Sequence, residues 1–281
     1  MTLQDAWRQA MDRLQAANIA EAKLDARLLL QYFAHVSYND LLVHGDREID
    51  EPIEQLYFAY VDKRASHIPL AQLIHMQEFM GLEFYVNENV LTPRQDTEIL
   101  VEEVMRTGIT GARILDLCTG SGCILLSLLH YMNECTGVGI DISDKALAVA
   151  KRNQEDLKIP NVIFELGDLY DVEGAELGRF DILVSNPPYI AQRELCKLMP
   201  EVRDHEPLIA LDGGESGLDF YERIIMDAHK YLNHGAFVFL EIGYDQGEAL
   251  ERILKCNGFS QIRIVKDYAG LDRVACAVYE G

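Results

Sequence analysis

From the start of the chain to about Pro69, apolar residues recur at helical spacing. Trp7, Ala10, Met11 and Leu14 fall at i, i+3, i+4 and i+7, and Ile53, Leu56, Tyr57 and Tyr60 repeat the pattern. Leu24 and the Leu28-Leu29-Leu30 run supply a further helix between them. The spacing predicts a small all-helical domain over residues 1–74. Then the segments shorten and alternate, from Glu78 to Val86 around a turn at Gly81, which reads as a β-hairpin linker over 75–90. From Thr110 onward, apolar runs alternate with helical stretches: 113–117, 138–141, 162–166, 180–185, 236–242, 262–265 and 274–279. Such alternation predicts an α/β domain over 91–281, built on a mostly parallel sheet with helices on both faces.

Three of these strand ends carry chemistry. Ile114-Leu115-Asp116-Leu117 runs into Cys118-Thr119-Gly120-Ser121-Gly122, and a helix follows near Cys123. Glycines there let the backbone approach a ligand at the carboxyl edge of the sheet. A dinucleotide fingerprint would place a third glycine where Leu125 stands, so a nicotinamide cofactor is disfavoured. The next strand ends in Gly139-Ile140-Asp141, where a carboxylate can accept from both hydroxyls of a ribose, although an Asp at that position can also cap a helix. The third ends in Gly167-Asp168-Leu169, suited to an adenine amino group. No basic group accompanies the glycine loop, so the ligand described is S-adenosylmethionine rather than a pyrophosphate-bearing cofactor.

The fourth strand, Phe180 to Ser185, ends in Asn186-Pro187-Pro188-Tyr189. Proline fixes φ and lacks an N–H, so the loop is stiff and leaves the Pro187 carbonyl without a helix or ladder partner. That carbonyl and the Asn186 side-chain oxygen make two neutral acceptors for the two N–H donors of an amide or exocyclic amino group, and Tyr189 offers a flat face to a planar group. Two further stretches stay open between function and plain connection: the loop from Asp212 to Asp219, as an active-site loop or a surface loop, and Glu241-Ile242-Gly243 at another strand end.

Charge narrows the partners. The 281 residues carry a formal net charge of −21, and binding that neutralises phosphates needs concentrated Lys and Arg, so free nucleic acid is disfavoured as substrate. The acidity serves either solubility or the steering of a basic partner. The six cysteines form no C-x-x-C pair and read as reduced core residues; the eight histidines do not cluster, so no metal site is expected. Charged residues spread through the first thirty positions argue against a signal peptide or membrane span, which implies a cytoplasmic protein without membrane contact.

Over almost its whole length the chain resembles the HemK/PrmC family, the release-factor glutamine N5-methyltransferases. The matching stretches are Leu91-Thr92-Pro93-Arg94-Gln95-Asp96-Thr97-Glu98, Asp116 to Gly122, Val184-Ser185-Asn186-Pro187-Pro188-Tyr189-Ile190, Glu241-Ile242-Gly243 and Lys266 to Arg273. Asn-Pro-Pro-Tyr is shared with DNA adenine methyltransferases; the stretches around Arg94 and Asp267 are more specific. The resemblance implies a seven-stranded Rossmann-like class I methyltransferase whose last strand is antiparallel, acting as a monomer on the glutamine of a release factor's Gly-Gly-Gln motif, with the helical domain holding the protein substrate. It assigns Cys118, Thr119, Gly120, Ser121, Gly122, Asp141, Asp168, Leu169 and Asn186 to S-adenosylmethionine. Asn186, Pro187, Pro188 and Tyr189 go to the substrate, with Asn186, Pro187 and Tyr189 in the transfer itself. Cys118 stands where the family usually has Gly, Leu169 where an aromatic is frequent, and His75 where Gly is common. The competing functions are a nucleic-acid adenine-N6 methyltransferase, which would need a basic groove and a flipped base, and a cofactor-binding regulatory module.

Overall fold

A computed structural model describes residues 1–174 and 176–281, which divide into two compact units. The first comprises residues 1–76 and, from far along the chain, 199–205. Five helices begin it: α1 (Leu3–Ala16), α2 (Ala22–Ala34), α3 (Tyr38–Val43), α4 (Glu51–Ala65) and α5 (Leu70–Ile74). Thr2 caps α1 by accepting from the Asp5 N–H, and Ser37 and Asp40 form a reciprocal capping box on α3. The core packs Ala6, Ala10 and Leu14 of α1 with Leu29 and Leu30 of α2 and Tyr57 and Val61 of α4. Leu56, expected on that face, is 47% exposed; the buried stripe of α4 runs through Tyr57, Val61 and Arg64 instead.

Arg64 is the reason the distant segment belongs here. Its guanidinium pairs with Asp25 at 2.7 Å and with Glu201 at 3.2 Å, and both Arg64 and Asp25 are buried. His67 Nδ1 meets the same Glu201 carboxylate at 3.0 Å, and Gln72 donates to the His205 carbonyl. One cation thus answers two carboxylates brought from opposite parts of the sequence.

The second unit, residues 77–198 and 206–281, opens with the hairpin β1 (Gln77–Phe79) and β2 (Leu82–Phe84). Its turn holds both Met80 (φ 53°) and Gly81 (φ 72°) in the left-handed region, the geometry that suits a two-residue hairpin loop. Then follow α6 (Gln95–Met105), β3 (Arg113–Leu117), α7 (Cys123–Tyr131), β4 (Thr136–Asp141), α8 (Asp144–Leu157), β5 (Val162–Asp168), β6 (Asp171–Val172) and β7 (Phe180–Ser185). The chain continues through the short α9 (Gln192–Leu195) and α10 (Pro200–Arg203), α11 (Asp219–Ala228), β8 (Leu232–Glu241), α12 (Gly247–Cys256), β9 (Phe259–Lys266) and β10 (Asp272–Tyr279). The sheet order is β6-β5-β4-β3-β7-β8-β10-β9. β3, β4, β5, β7 and β8 run parallel, and β10 enters antiparallel beside β8. The eighth strand beyond the expected seven is the two-residue β6, which folds back on the end of β5.

Alternation along each strand divides the core between two faces. Ile114, Val184 and Phe239 pack with α6 and α7, whereas Leu115, Leu117, Leu183 and Val238 pack with α11 and α12. Of the cysteines, Cys123, Cys135 and Cys276 are buried as expected, but Cys196 and Cys256 are exposed, because both fall at the ends of short surface helices. Among the described residues no helix is long and apolar enough to cross a membrane, and no cluster of His, Cys, Asp or Glu could hold a metal ion.

Replacing Arg64 by Leu strands two carboxylates, one of them buried, so the helical unit should lose about 3–5 kcal/mol. Replacing Arg8, whose pairing with Asp5 is exposed, should cost under about 1 kcal/mol. Urea unfolding followed by circular dichroism compares the two; equal midpoints would rule out a structural role for the Arg64 cluster.

Candidate active site

The turn after β3 shapes the site. Gly122 adopts φ 78° to start α7, and a Cβ there would lie 3.1 Å from both Leu126 Cδ1 and Phe164 Cζ. The residue serves helix entry and packing, and it is not part of the cavity wall. Thr119, Gly120 and Ser121 do line the cavity, with Cys118 at their start. Cys118 and, after β5, Leu169 are held at φ 59° and 57°, a conformation a side chain adopts only at a cost, and both face the cavity.

The ends of β4 and β5 bring Asp141 and Asp168 into the same wall. Asp141 accepts from the Gly120 N–H at 2.8 Å through Oδ2 and from the Ser143 N–H at 2.9 Å through Oδ1. It therefore fixes the glycine loop, and each oxygen keeps a second lone pair. Asp168 is half exposed and its Oδ2 lies 2.8 Å from Arg223 of α11. Between these carboxylates the wall is apolar, formed by Ile140, Ile142, Ala146 and Leu169.

β7 delivers Asn186 and Pro188 to the cavity, whereas Pro187 and Tyr189 lie outside its wall. Asn186 Nδ2 donates to Thr97 Oγ1 at 3.4 Å, and the Tyr189 hydroxyl donates to Glu241 Oε1 at 3.2 Å. The loop from Asp212 to Asp219 is tied down: the Ile190 and Gly213 backbones exchange hydrogen bonds with Leu211 and Ile190, and Gln246 Nε2 donates to the carbonyls of Tyr189 and Gly217. Gly213 allows this approach, since a Cβ would meet Tyr189 Cα at 2.7 Å. None of residues 212–219 lines the cavity, which takes Phe220 of α11 instead.

Several wall residues escaped the sequence reading. Arg94 and Thr97 come from the start of α6, Pro207, Ile209 and Ala210 from the stretch after α10, and Phe220 and Arg223 from one face of α11. The Arg94-to-Glu98 stretch was the available signal for the first pair; nothing local marked the others. Arg94 pairs at 2.6 Å with Glu206, whose Oε1 also accepts from the Thr92 N–H. Both cavity arginines are thus engaged by carboxylates. With two acidic strand ends, apolar flanks and no uncommitted cation, the wall fits a nucleoside bearing a positive charge better than a pyrophosphate.

Beneath the glycine loop Asp116 is fully buried, on the same strand face as Ile114. Its Oδ2 accepts from Thr119 Oγ1 at 2.6 Å and its Oδ1 has no hydrogen-bond partner. Burial pushes its pKa up to about 7, with the nearby Asp141 adding to the shift and Thr119 opposing it. Burial also raises Asp141, against the backbone N–H groups that favour its charged form, and raises the Cys118 thiol, which stays protonated.

Comparison with known proteins bears on this arrangement. The family profile of the PrmC N-terminal domain matches residues 5–74, and that of a methyltransferase domain matches residues 110–211. The chain is 40% identical to the release factor glutamine methyltransferase of Clostridium acetobutylicum, over all of both chains. It is 44% identical to that of Thermodesulfovibrio yellowstonii over 76% of this chain and 77% of the relative. Among solved structures, a methyltransferase from Pyrococcus furiosus, at 20% identity, covers 78% of this chain and 99% of its own with a TM-score of 0.54. The T. thermophilus 16S rRNA N2 G1207 methyltransferase, solved with AdoMet and guanosine, gives 0.52 at 18% identity, covering 73% of this chain and 50% of its own. At these identities the two structures share the fold.

Asp116 binds its proton more tightly when folded, so its contribution favours the folded state at low pH and is lost as pH rises from about 4 to about 7. Asp116→Asn, neutral throughout, lacks that loss. Urea unfolding of the two proteins at about pH 5 and about pH 8 should show the variant gaining on the parent at the higher pH. A difference independent of pH would mean Asp116 is charged in the folded protein.

Proposed function

The chain belongs to the release factor glutamine methyltransferases, and from that premise we propose that it transfers a methyl group from S-adenosylmethionine to the side-chain amide nitrogen of the glutamine in a release factor's Gly-Gly-Gln motif. The observation that supports this most directly is the full-length likeness to the Clostridium acetobutylicum enzyme, in a chain that sets Asn186 in the same cavity wall as Asp141.

When bound, the cofactor supplies an electrophilic methyl group on a sulfonium sulfur. Asp141 would accept from the ribose hydroxyls with its remaining lone pairs, the Cys118-to-Ser121 turn would cradle the chain bearing the sulfur, and Leu169 would cover the base. Asp168, already shared with Arg223, would present its other oxygen to the adenine amino group. A glutamine amide is a weak nucleophile, because its lone pair is delocalised into the carbonyl. Placement therefore carries the reaction. Asn186 Oδ1 and the Pro187 carbonyl would hold the two amide hydrogens, and Pro188 and the Tyr189 ring would bound its plane. As positive charge develops on nitrogen, these neutral acceptors stabilise it, and the proton leaves afterwards to solvent.

The helical unit would dock the protein substrate. Asp46, Glu48, Asp50 and Glu51 are exposed there, whereas Asp40 is engaged in the α3 capping box and Glu54 holds the N-terminal amine at 2.7 Å. Such a surface suits a basic partner and disfavours nucleic acid.

Asn186→Ala should abolish transfer while cofactor affinity stays within about tenfold, because the lost acceptor faces the substrate. Asp141→Ala should weaken cofactor binding by about 1.5–3 kcal/mol, through lost ribose bonds and a loosened Gly120 loop. Calorimetry with S-adenosylmethionine, run beside a tritiated-methyl transfer assay on a Gly-Gly-Gln peptide, reads both; full turnover in the first or unchanged affinity in the second refutes the role concerned.

Docking is better tested by neutralising Asp46, Glu48, Asp50 and Glu51 together than by removing residues 1–74, which would strip Arg64 and His67 from Glu201. The fourfold variant should lose kcat/KM on intact release factor, with a weaker salt dependence, and keep its rate on the short peptide. Unchanged kcat/KM on the intact factor would leave those carboxylates to solubility alone.

A further inference from the structure

Around Asp168 the cavity wall is built from two segments far apart in sequence: the turn after β5, with Asp168 and Leu169, and the first turns of α11, with Phe220 and Arg223. Two contacts fasten them together, one on each side of Leu169. Before it, Asp168 Oδ2 lies 2.8 Å from the Arg223 guanidinium. After it, the buried Tyr170 hydroxyl donates to the Ile224 carbonyl at 2.9 Å. A third bond holds the same helix to the end of β8, where the Tyr221 hydroxyl donates to the Glu241 carbonyl at 2.7 Å.

Phe220 stands among these anchors. It is half-buried, packs against the same apolar cluster as Leu169 and reaches the cavity wall. The Arg223 guanidinium carbon lies over its ring, 5.7 Å from the centroid, which ties the ring to the cation that holds Asp168. Among the described residues, Phe220 is the only aromatic side chain in the cavity wall. A purine is a flat, polarisable ring, and an aromatic side chain holds it by stacking as aliphatic surface does not. Leu169 can cover a base but offers no ring to stack on.

We propose that Phe220 is a cofactor-binding residue: it supplies the aromatic face on which the adenine of S-adenosylmethionine stacks, while Leu169 covers the base and Asp168 accepts from its amino group. This deepens the function proposed above and rests on it. The strand ends hold the polar groups of the nucleoside, and α11 provides the stacking. Because Arg223 and Ile224 are tethered to the two neighbours of Leu169, the ring is already in place before the base arrives and need not be ordered on binding. Adenine is common to cofactor and product, so the contribution is the same for S-adenosylmethionine and S-adenosylhomocysteine. Interactions made equally in the ground and transition states act on binding and not on the rate of the chemical step.

The test measures calorimetric affinity for both ligands in the wild type, F220L and F220Y. F220L keeps apolar bulk and loses the ring, so it should bind both ligands about tenfold more weakly. In the transfer assay the loss should appear in KM for S-adenosylmethionine rather than in kcat. F220Y keeps the ring and should bind both within about twofold of wild type. F220W gives a separate signal. Trp7, the single tryptophan of the chain, belongs to the helical unit, so wild-type emission is the control for an indole placed at position 220. The added emission of F220W should be quenched to saturation by S-adenosylhomocysteine. F220L with wild-type affinity overturns the proposal. So does F220Y losing as much as F220L, because packing and not the ring would then carry the loss. If circular dichroism shows F220L unfolded, F220W decides, and emission that S-adenosylhomocysteine leaves unaltered overturns the proposal equally. Failure of the cofactor reading would look different: the wild-type protein itself would bind neither ligand.

Discussion

A parallel strand cannot turn back on its neighbour. Each must be followed by a crossover, and right-handed crossovers deliver the carboxyl ends of all the strands to one edge of the sheet. In this chain that edge receives β3, β4, β5, β7 and β8, and nearly every group with chemical capacity in the second unit stands there. The same constraint leaves the edge short of hydrogen-bond partners, because the ladder stops where the loops begin. Side chains make up the shortfall: Asp141 accepts from Gly120 and Ser143, the Ser185 hydroxyl donates to the Leu117 carbonyl at 2.6 Å, and Gln246 ties down the loops after β7 and before α11. The scaffold and the site are therefore built by the same hydrogen bonds.

A second consequence is the concentration of buried acid at this edge. Asp116, Glu206 and Glu241 are each under a tenth exposed, and burial raises the pKa of every one. They differ in what compensates them. Glu206 has a guanidinium at 2.6 Å, Glu241 has the Tyr189 hydroxyl with Arg273 nearby, and Asp116 has the Thr119 hydroxyl alone. That gradient runs from paired charge to a group that binds its proton up to about pH 7. Glu206 anchors Arg94 in the cavity wall, and Asp116 sits beneath the loop with one oxygen unpartnered.

Much of this edge was legible before any coordinates. The residues at strand ends follow directly from where an apolar run stops, so Asp141, Asp168 and Asn186 could be named, and β3 and β7 span the expected residues. Other features were invisible for stated reasons. Phe220, Arg223 and Ile209 reach the cavity through tertiary packing of segments whose own pattern reads as surface helix or loop. Ranges for β8 and β9 began late because their first residues alternate with polar ones such as His234 and Ser260. Gly122 was grouped with the ligand contacts, whereas its lack of a side chain answers the crowding of Leu126 and Phe164. Leu56 fitted the helical stripe, yet α4 turns Arg64 inward, and a guanidinium that must meet two carboxylates outweighs one apolar side chain.

The helical unit is assembled from two stretches of sequence, with Met199–His205 inserted between parts of the methyltransferase domain. Seen as inheritance, this sets a rule on how such a protein can be recombined. A gene fusion that appended only the first 76 residues to another methyltransferase would bring Arg64 without Glu201 and Gln72 without the His205 carbonyl. Conversely, a methyltransferase that kept the insertion but lost the leading helices would carry seven residues shaped for partners it no longer had. The two halves can change hands only together, so the leading helices and the stretch that follows the Asn186 turn are bound to vary as a linked pair.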